Sequence, residues 1–447
     1  NASSGAITVS SDIDLSATPT VTTLHLVTNG GVTATAAAGG IRVSDLAISA
    51  NGAVNFTDAD TALTHLAINT TTGAVFFTEA DGFNVATVNG VSGLRTGDAQ
   101  ITLEVTNGNL TVMDTPAARD IDASGDVSIF LLGSEALFTV DSGANVFGGP
   151  QFVRADNIDL QGTITTAGSA VLFEPRQGGN AAIDLGAFGE STPNTLELSD
   201  AELNRITTSS LRIGNTTGGV TVSAPLTLSG GELLILSQGS VSQSSGATIT
   251  VAELGVTTTN AITLNEANDV ENVNLVTTSG NVSFTNTDGF LVTTVGVLDG
   301  GVSTDSGSVS LTANTGNVTI ANSSNDVSAT TGIAITLSAS NAQLTINSGA
   351  NVASSAGGVQ IDSDKIAVNG TIDAGSEAIT VTGGKATLGS ADRLANASPL
   401  VLASGAILQL NGFDETVSSL TGDGSVVSGT AAASTLTINL AGNETFS

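Results

Sequence analysis

The sequence contains no cysteine, no tryptophan and no tyrosine. The absence of cysteine excludes a disulfide framework and fits a very large exported protein that crosses membranes unfolded. Tryptophan and tyrosine commonly form sugar-stacking surfaces, so their absence counts against a polysaccharide lyase or a glycosidase. The 14 phenylalanines are the only aromatic residues, and their positions fit inward-facing places on strands. We therefore expect no catalytic residues and no enzymatic activity.

Basic residues are also scarce. The chain has 10 Lys and Arg against 41 Asp and Glu, which gives a net charge of -31. Such a charge repels nucleic acid phosphates and anionic membrane surfaces, so nucleic acid is excluded as a partner. No run of eighteen apolar residues is present, and we expect no membrane insertion of this segment. The chain begins at Asn1 and stops inside a strand-like pattern, so we expect it to belong to a longer polypeptide.

A short repeating pattern is clearest in residues 279–320. Three times, a small polar residue and a glycine precede a strand in which apolar residues alternate with Ser or Thr. The glycines are Gly280, Gly307 and Gly316. Period-two alternation places the apolar side chains on one face of a sheet, and each glycine is predicted to supply the positive φ of a tight corner. The pattern predicts short strands joined by glycine corners.

The same pattern recurs on a larger scale. Residues 66–185 align with residues 273–391 at an offset of about 207 positions. The aligned pairs include Gly73 with Gly280, Phe77 with Phe284 and Phe83 with Phe290, and the string SGANV occurs in both copies. The offset drifts by only a residue or two, which confines insertions to loops and is typical of small units that stack on one another. The chain is therefore predicted to contain a duplicated block of many coils.

These features predict an all-β fold. We expect a right-handed parallel β-helix, or β-solenoid, that runs continuously through residues 1–447 as a single elongated rod. The strands are too short and too regularly spaced for a sandwich, and no crossover helices are present to cover an open parallel sheet. A single helical turn is predicted after Ser199, with Glu202 completing a capping box.

Acidic pairs at predicted corners are candidate metal ligands. Asp58 with Asp60, and Glu79 with Asp81, have alternate spacing and could share a calcium ion. The chain has no nonapeptide calcium repeat, and the second copy carries Asn286 in the place of Glu79. We therefore favour turn-forming side chains and expect no cofactor, with structural calcium as the alternative.

The two histidines, His25 and His65, occur in the related phrases TLHLVTN and THLAINT. Their spacing could place them two coils apart on one face of the predicted solenoid. No third type of ligand lies nearby in the sequence, so we favour outward-facing polar residues over a metal-binding pair.

Residues 114–150 are less regular than the remainder. Pro116, Arg119 and Pro150 predict loops that leave the coil there. Loops on a rigid scaffold are natural places for binding contacts. If the chain binds a glycan or a protein, this segment is the predicted site.

Residues 388–447 include LQLNGFDETVSSLTGDGSVV and STLTINLAGNETFS. This stretch resembles the autotransporter-associated strand repeat of Gram-negative surface proteins, whose L-T-G-x-G-x-V core is matched by Leu420, Thr421, Gly422, Gly424 and Val426. Upstream, ADNIDLQGTI and ELNRITTSSLRIG resemble coils of filamentous haemagglutinin-type exoproteins. These resemblances imply a right-handed parallel β-helix, export across the outer membrane, and a role as an adhesin or a surface fibre.

Duplication of whole coils adds length rather than a new pocket. We therefore expect a non-enzymatic extracellular structural rod, part of a giant bacterial surface fibre, filament or adhesin stalk. The alternative is an adhesin module that binds glycan or protein through residues 114–150. The strand-like segments 6–10 and 436–440 lack obvious caps, so the predicted partners are further coils or copies of the chain, end to end. A host or cell-surface glycan or protein is the other expected partner.

Overall fold

The computed structural model describes residues 5–17, 20–34, 40–58, 60–176, 181–186, 192–229, 231–299, 301–321 and 327–440, without the side chains of residues 215 and 216. Nearly all of its regular structure is strand, and the parallel strands stack as the coils of a β-solenoid of about 18 turns. The predicted all-β solenoid fold is therefore confirmed. The chain forms two compact units, residues 1–218 and residues 219–447.

The first unit has two main parallel sheets and several short pairings. The strands of one sheet are Thr23–Thr28, Asp45–Ala50, His65–Thr70, Gly82–Val85, Leu94–Thr96, Asn109–Val112, Ile121–Asp122, Leu137–Val140, Asn145–Gly148, Asn157–Leu160, Thr163–Thr166 and Ile206–Thr207. The strands of the other are Ile7–Val9, Val32–Ala34, Val54–Phe56, Val75–Glu79, Ile101–Val105, Val127–Leu131, Gln151–Arg154, Ala170–Glu174 and Ser210–Thr216. The short pairings join Ile13–Asp14 with Ile41–Arg42, Thr87–Val88 with Val91–Ser92, and Ala182–Leu185 with Thr195–Leu198.

The second unit repeats this arrangement in three parallel ladders. One contains Val220–Val222, Val241–Gln243, the start of Ile262–Thr277, Val282–Asn286, Ser308–Ala313, Gly332–Leu337, Val359–Asp362, Ile379–Val381, Leu400–Leu402 and Leu420–Thr421. Another contains Phe290–Val292, Val318–Ile320, Gln343–Ile346, Lys365–Val368, Lys385–Leu388, Ile407–Gln409 and Ser425–Val427, and the third contains Val302–Thr304, Val327–Ala329, Asn351–Ser354 and Thr371–Asp373. The remaining strands are Leu226–Thr227, Glu232–Ser237, Ile249–Thr258, Glu415–Val417 and Leu436–Ile438.

The register between coils follows the alternation in the sequence. Val75 pairs with Ile101, which pairs with Val127, and all three side chains are buried in the first unit. In the second unit, Val282 pairs with Val309 in the same way. A slip of one residue would turn every apolar side chain outward, so the buried column fixes the register of each coil.

Aromatic pairs mark equivalent positions in the interiors of the two units. Phe77 and Phe83 are buried, with ring centroids 5.8 Å apart in an edge-to-face arrangement. Phe284 and Phe290, the residues that the sequence alignment matches to them, have centroids 5.3 Å apart at 90°. The aromatic ring pair that the aligned copies imply is therefore present in both units.

Threonine side chains donate to backbone carbonyls at the coil corners, a feature that the sequence pattern did not indicate. Thr96 Oγ1 donates to the carbonyl of Ala99 at 2.6 Å, and Thr166 Oγ1 donates to that of Ser169 at 2.8 Å. In the second unit, Thr304 Oγ1 donates to the carbonyl of Gly280 at 2.6 Å. The first two bonds close a corner within one coil, whereas the third joins neighbouring coils, and all three accepting carbonyls lie outside the strands.

The glycine corners need two different explanations. Gly280 and Gly316 have φ of 91° and 79°, as expected for left-handed corners. Gly307 has no positive φ, so the prediction is wrong for this residue. A Cβ at Gly307 would lie 1.9 Å from the carbonyl oxygen of Gly280 in the neighbouring coil. Glycine is required at this position because two backbones approach closely.

A small β-hairpin covers part of the outer surface of the first unit. Its strands Thr87–Val88 and Val91–Ser92 are joined by Asn89 and Gly90, which have φ of 47° and 81°. Positive φ at both central residues is typical of a two-residue hairpin turn. Val88 packs on Ala47 and Ala67, whose short outward side chains leave room for it. In the second unit, Val295 and Leu298 form the corresponding antiparallel bridge over Gly255.

The predicted helical turn is present as Asp200–Leu203. Ser199 is its N-cap, and the reciprocal bonds of a capping box join Ser199 and Glu202. No helix in the described part of the chain is long and apolar enough to cross a bilayer.

The prediction that residues 114–150 form loops outside the coil is wrong for most of that segment. It contains the strands Ile121–Asp122, Val127–Leu131, Leu137–Val140 and Asn145–Gly148, each paired with its neighbours in register. Alternating buried residues hold these strands in the coil, whereas Pro116 and Pro150 lie in the connections. Residues 113–120 are the longest stretch outside the strands in this segment.

Residues 388–440 continue as short paired strands, with Leu420 next to Leu400 and Val426 next to Leu408. The last seven residues of the autotransporter-like segment lie outside the described residues. The predicted continuity of one rod through residues 1–447 stays a prediction.

Candidate ligand-binding cleft

Three outward side chains of the first unit stand above one another on successive coils. Arg95 pairs in register with Asp122, and Asp122 pairs with Phe147. Their neighbours Leu94 and Ile121 are fully buried, so strand alternation directs the three side chains outward. Parallel strands lie about 4.8 Å apart, so this outward ladder is about 10 Å long.

A second arginine completes the group. Asp122 accepts hydrogen bonds from Nη2 of Arg95 on Oδ2 and from Nη1 of Arg119 on Oδ1, both at 3.0 Å. The guanidinium carbon of Arg119 lies 3.3 Å from the centroid of the Phe147 ring. One carboxylate and one aromatic face therefore hold two guanidinium groups on the outside of the coil.

The segment that carries Arg119 is fixed by a buried carboxylate. Asp120 is 1% exposed, and its two oxygens accept backbone N–H groups of Thr115 and Asn145, each at 2.8 Å. These bonds fix the segment 115–120 and join it to the next coil at Asn145. Arg119 consequently projects from an anchored position rather than from a free loop.

The group lines an open cleft of about 390 Å³. Its other walls are made by Asn69, Thr70, Thr96, Gly97, Ala123 and Ser124. The side chains of Arg95 and Arg119 remain 39% and 41% exposed. Each guanidinium carries five N–H donors, and one from each is used on Asp122. The cleft therefore presents several cationic donors beside hydroxyl and amide groups.

The second copy has a cleft at the same place on the coil, with different chemistry. Ser303, Ser328 and Ala353 form its outward ladder and correspond to Arg95, Asp122 and Phe147. This cleft has a volume of about 380 Å³, and its remaining lining includes the carboxylates Asp305 and Asp373. The counterpart of Arg119 falls within residues 322–326, which lie outside the described residues and whose sequence contains no basic residue.

The expectation that phenylalanines face inward is wrong for several of them in the first unit. Phe76, Phe130, Phe147 and Phe152 occupy outward positions and are only half-buried. In VSIFL, for example, Phe130 follows the buried Ile129 by one residue, so period-two counting could have identified it as outward.

Phe130 and Phe152 form a second aromatic group, with centroids 5.3 Å apart. The guanidinium carbon of Arg154 lies 5.0 Å from one ring and 5.6 Å from the other, and its Nη2 donates to Glu174 at 2.8 Å. Arg154 and Glu174 are largely buried, with 19% and 6% of their side chains exposed. In this group Arg154 is paired with the buried Glu174. In the cleft, by contrast, guanidinium N–H donors of Arg95 and Arg119 remain accessible.

The two histidines do not form a pair. His25 contacts Ser49 through Nε2 at 3.1 Å and Asn89 through Nδ1 at 2.8 Å. His65 contacts Asp45 through Nδ1 at 2.7 Å. The register places them on separate ladders, because Ala47 pairs with His25 whereas Asp45 pairs with His65. Both are partly exposed polar residues, as the favoured interpretation expects.

The acidic corners have turn geometry. Asp58 Oδ1 accepts the backbone N–H of Asp60 at 2.9 Å, and Asp58 is buried whereas the Asp60 side chain is 71% exposed. Glu79 accepts the backbone N–H of Asp81 at 2.8 Å. In the described ranges, no group of three or more His, Asp or Glu side chains is arranged to hold a metal ion.

Two buried glutamates serve as backbone caps. Glu79 is 0% exposed and Glu415 is 1% exposed, and each accepts three backbone N–H groups. Burial raises the pKa of both carboxyls above the usual 4.5, although the N–H groups act in the opposite direction. Asn286 takes the place of Glu79 in the second copy and bonds the same kind of corner without a charge.

Acidification from about pH 7 towards the ordinary glutamate pKa of 4.5 is therefore expected to raise the melting temperature. The pKa of each of these two carboxyls is higher in the folded than in the unfolded state. The free energy that each contributes to folding is therefore fully present when the pH is below its pKa in the unfolded state, and it is lost as the pH rises through its pKa in the folded state. Protonation also reduces the repulsion that accompanies a net charge of -31. Thermal unfolding followed by circular dichroism checks this expectation. A steady fall in melting temperature over the same range would contradict it, and Glu79→Gln combined with Glu415→Gln should flatten the pH dependence.

The lining of the cleft is polar and contains one carboxylate, Asp122, whereas glycoside hydrolysis uses two. Comparisons of the chain with protein-family models, with curated proteins and with solved structures found no match. The resemblance to autotransporter-associated repeats and haemagglutinin-type exoproteins stays a prediction.

Proposed function

We propose that the chain is a non-enzymatic structural segment of an extracellular bacterial fibre, filament or adhesin stalk, exported from a Gram-negative cell. The observation that supports this proposal is the contrast between the inside and the outside of the duplicated coils. Inward positions keep matching residues, such as Phe77 and Phe284, whereas outward positions change freely, as from Arg95 to Ser303. Conserved stacking with variable surfaces is what a length-giving repeat requires.

Electron microscopy of the native protein, with antibody labelling on intact cells, tests this role. We expect label outside the cell, on filaments or stalks that project from the surface. Label confined to the cell interior, or a native protein made of compact globular particles, would contradict the proposal. The predicted end-to-end contact with further coils or copies would be visible in the same images as continuous fibres.

An adhesin module is the second candidate function, and the cleft at Arg95, Arg119, Asp122 and Phe147 favours it. The cleft concentrates two of the ten basic residues of the chain on one exposed ladder. Three of its four residues lie within residues 114–150, where the sequence predicts a binding site. A screen of glycans and host-surface proteins tests this function. Specific submicromolar binding that is lost when the cleft is altered would overturn a purely structural role.

A further inference from the structure

We propose that the cleft formed by Arg95, Arg119, Asp122 and Phe147 binds the carboxylate of an acidic saccharide. The inference deepens the adhesin function and rests on it.

Charge is the first argument for a carboxylate. The charged residues that line the cleft are two arginines and one aspartate, so the lining carries a local charge of about +1 in a strongly acidic chain. Arg95 and Arg119 each give one donor to Asp122 and keep others accessible. Planar guanidinium groups bind carboxylates through paired N–H donors, and the remaining donors of these two arginines are suited to such a contact.

The orientation of Arg119 is the second argument. Phe147 lies under its guanidinium at 3.3 Å, and Asp122 holds its Nη1 at 3.0 Å. A guanidinium fixed on two sides loses little side-chain freedom when a ligand binds. The site is therefore largely preformed before the ligand arrives.

The rest of the lining fits a saccharide. Asn69, Thr70, Thr96 and Ser124 surround the arginines with amide and hydroxyl groups that match sugar hydroxyls. A volume of about 390 Å³ falls in the usual range for small-molecule sites. The length of the outward ladder, about 10 Å over three coils, suits an extended chain of a few sugars rather than a single ion.

The second copy is an internal comparison. Its cleft has nearly the same volume, but Ser328 and Ala353 stand in the places of Asp122 and Phe147, and Asp305 and Asp373 are the carboxylates in its lining. Ser303 occupies the ladder position of Arg95. A cleft that arose only from coil packing would need no particular outward chemistry. The second cleft therefore provides a control of nearly equal size without the two arginines, and it should not bind an anion.

The test is calorimetric titration of the full chain with a uronic acid trisaccharide, with the same trisaccharide as its methyl ester, and with a glutamate tripeptide. We expect the acid to bind and the ester to bind at least tenfold more weakly. Arg95→Gln and Arg119→Gln should each weaken binding of the acid at least tenfold. Arg42→Gln, which removes an exposed arginine outside the cleft, should change nothing. Equal binding of acid and ester, or unchanged binding by Arg95→Gln, would overturn the proposal.

Asp122→Asn is a second variant, whose expected effect differs from that of an arginine variant that folds poorly. The substitution removes a negative charge and raises the local charge to about +2, while the amide oxygen can still accept a guanidinium N–H, so the acid should bind more tightly, a gain that misfolding does not produce. Weaker binding by a folded Asp122→Asn, or preference for the peptide over the saccharide, would count against the proposal. If glycan binding in the screen persists in Arg95→Gln, the adhesin function stands and the cleft proposal falls. If no probe binds in either experiment, both fall.

Discussion

Replacing Phe284 with alanine is expected to lower the free energy of unfolding by about 3–5 kcal/mol. Phe284 is fully buried, and its ring meets Phe290 edge-to-face at 5.3 Å. Leu264 and Leu311 are its register partners in the coils on either side. Since both neighbours are held by their own strands, they cannot collapse into the space of the missing ring, and the variant would contain a cavity.

Denaturant unfolding followed by circular dichroism measures this effect. Thr285→Ala is the matched control, because Thr285 is the next residue on the same strand and faces outward. Its expected change is within about 0.5 kcal/mol. Hydrogen exchange should show the loss of protection centred on Val282–Asn286 and Ser308–Ala313, because a stacked coil contacts mainly its neighbours. Equal effects of the two substitutions would mean that Phe284 does not face the interior.

The second large effect is expected from Gly307→Ala, which should cost about 3 kcal/mol of unfolding free energy. The added Cβ would lie 1.9 Å from the carbonyl oxygen of Gly280. That oxygen belongs to the backbone and is already held by Thr304, so it cannot move aside as a flexible side chain would. The coils must separate at this corner to admit one methyl group.

Gly383→Ala separates this clash from a general effect of replacing glycine. Neither residue has a positive φ, and a Cβ at Gly383 would approach no atom closer than 3.4 Å. Alanine there should be neutral or slightly stabilising, since it restricts the unfolded chain. Thermal unfolding of the two variants side by side provides the measurement. A Gly307→Ala protein as stable as Gly383→Ala would show that the two coils are not in close contact at this corner.

Sequence periodicity predicts the interior of this protein well. Alternating apolar residues and the aligned copies identified the buried ladder through Val282 and Val309 and the matched Phe77 and Phe284. Local capping chemistry identified the helical turn after Ser199. These signals lie in neighbouring residues, or in repeats of one pattern, and need no knowledge of which coil lies next to which.

The outer surface was harder to predict because its contacts depend on the register between coils. Arg95, Asp122 and Phe147 are about 25 residues apart along the chain and meet only because successive coils pair at those positions. Arg119 was noted as an irregularity, but its contact with Phe147 comes from a backbone anchored by Asp120. Interpreting residues 114–150 as loops gave too much weight to proline and too little to the alternation of Val127, Ile129 and Leu131.

Pairs of engineered cysteines test the coil register, on which the buried ladders, the close corner and the cleft all depend. The natural sequence contains no cysteine to interfere. Ser283 and Ser310 are register partners on neighbouring coils, and partners on adjacent strands lie about 4.8 Å apart, within reach of a disulfide. Oxidation of Ser283→Cys with Ser310→Cys should give rapid and nearly complete intramolecular cross-linking of the folded protein. Ser283→Cys with Thr312→Cys, offset by two residues to about 8 Å, should not cross-link. Equal cross-linking of both pairs, or cross-linking of the offset pair alone, would contradict the stacked-coil register.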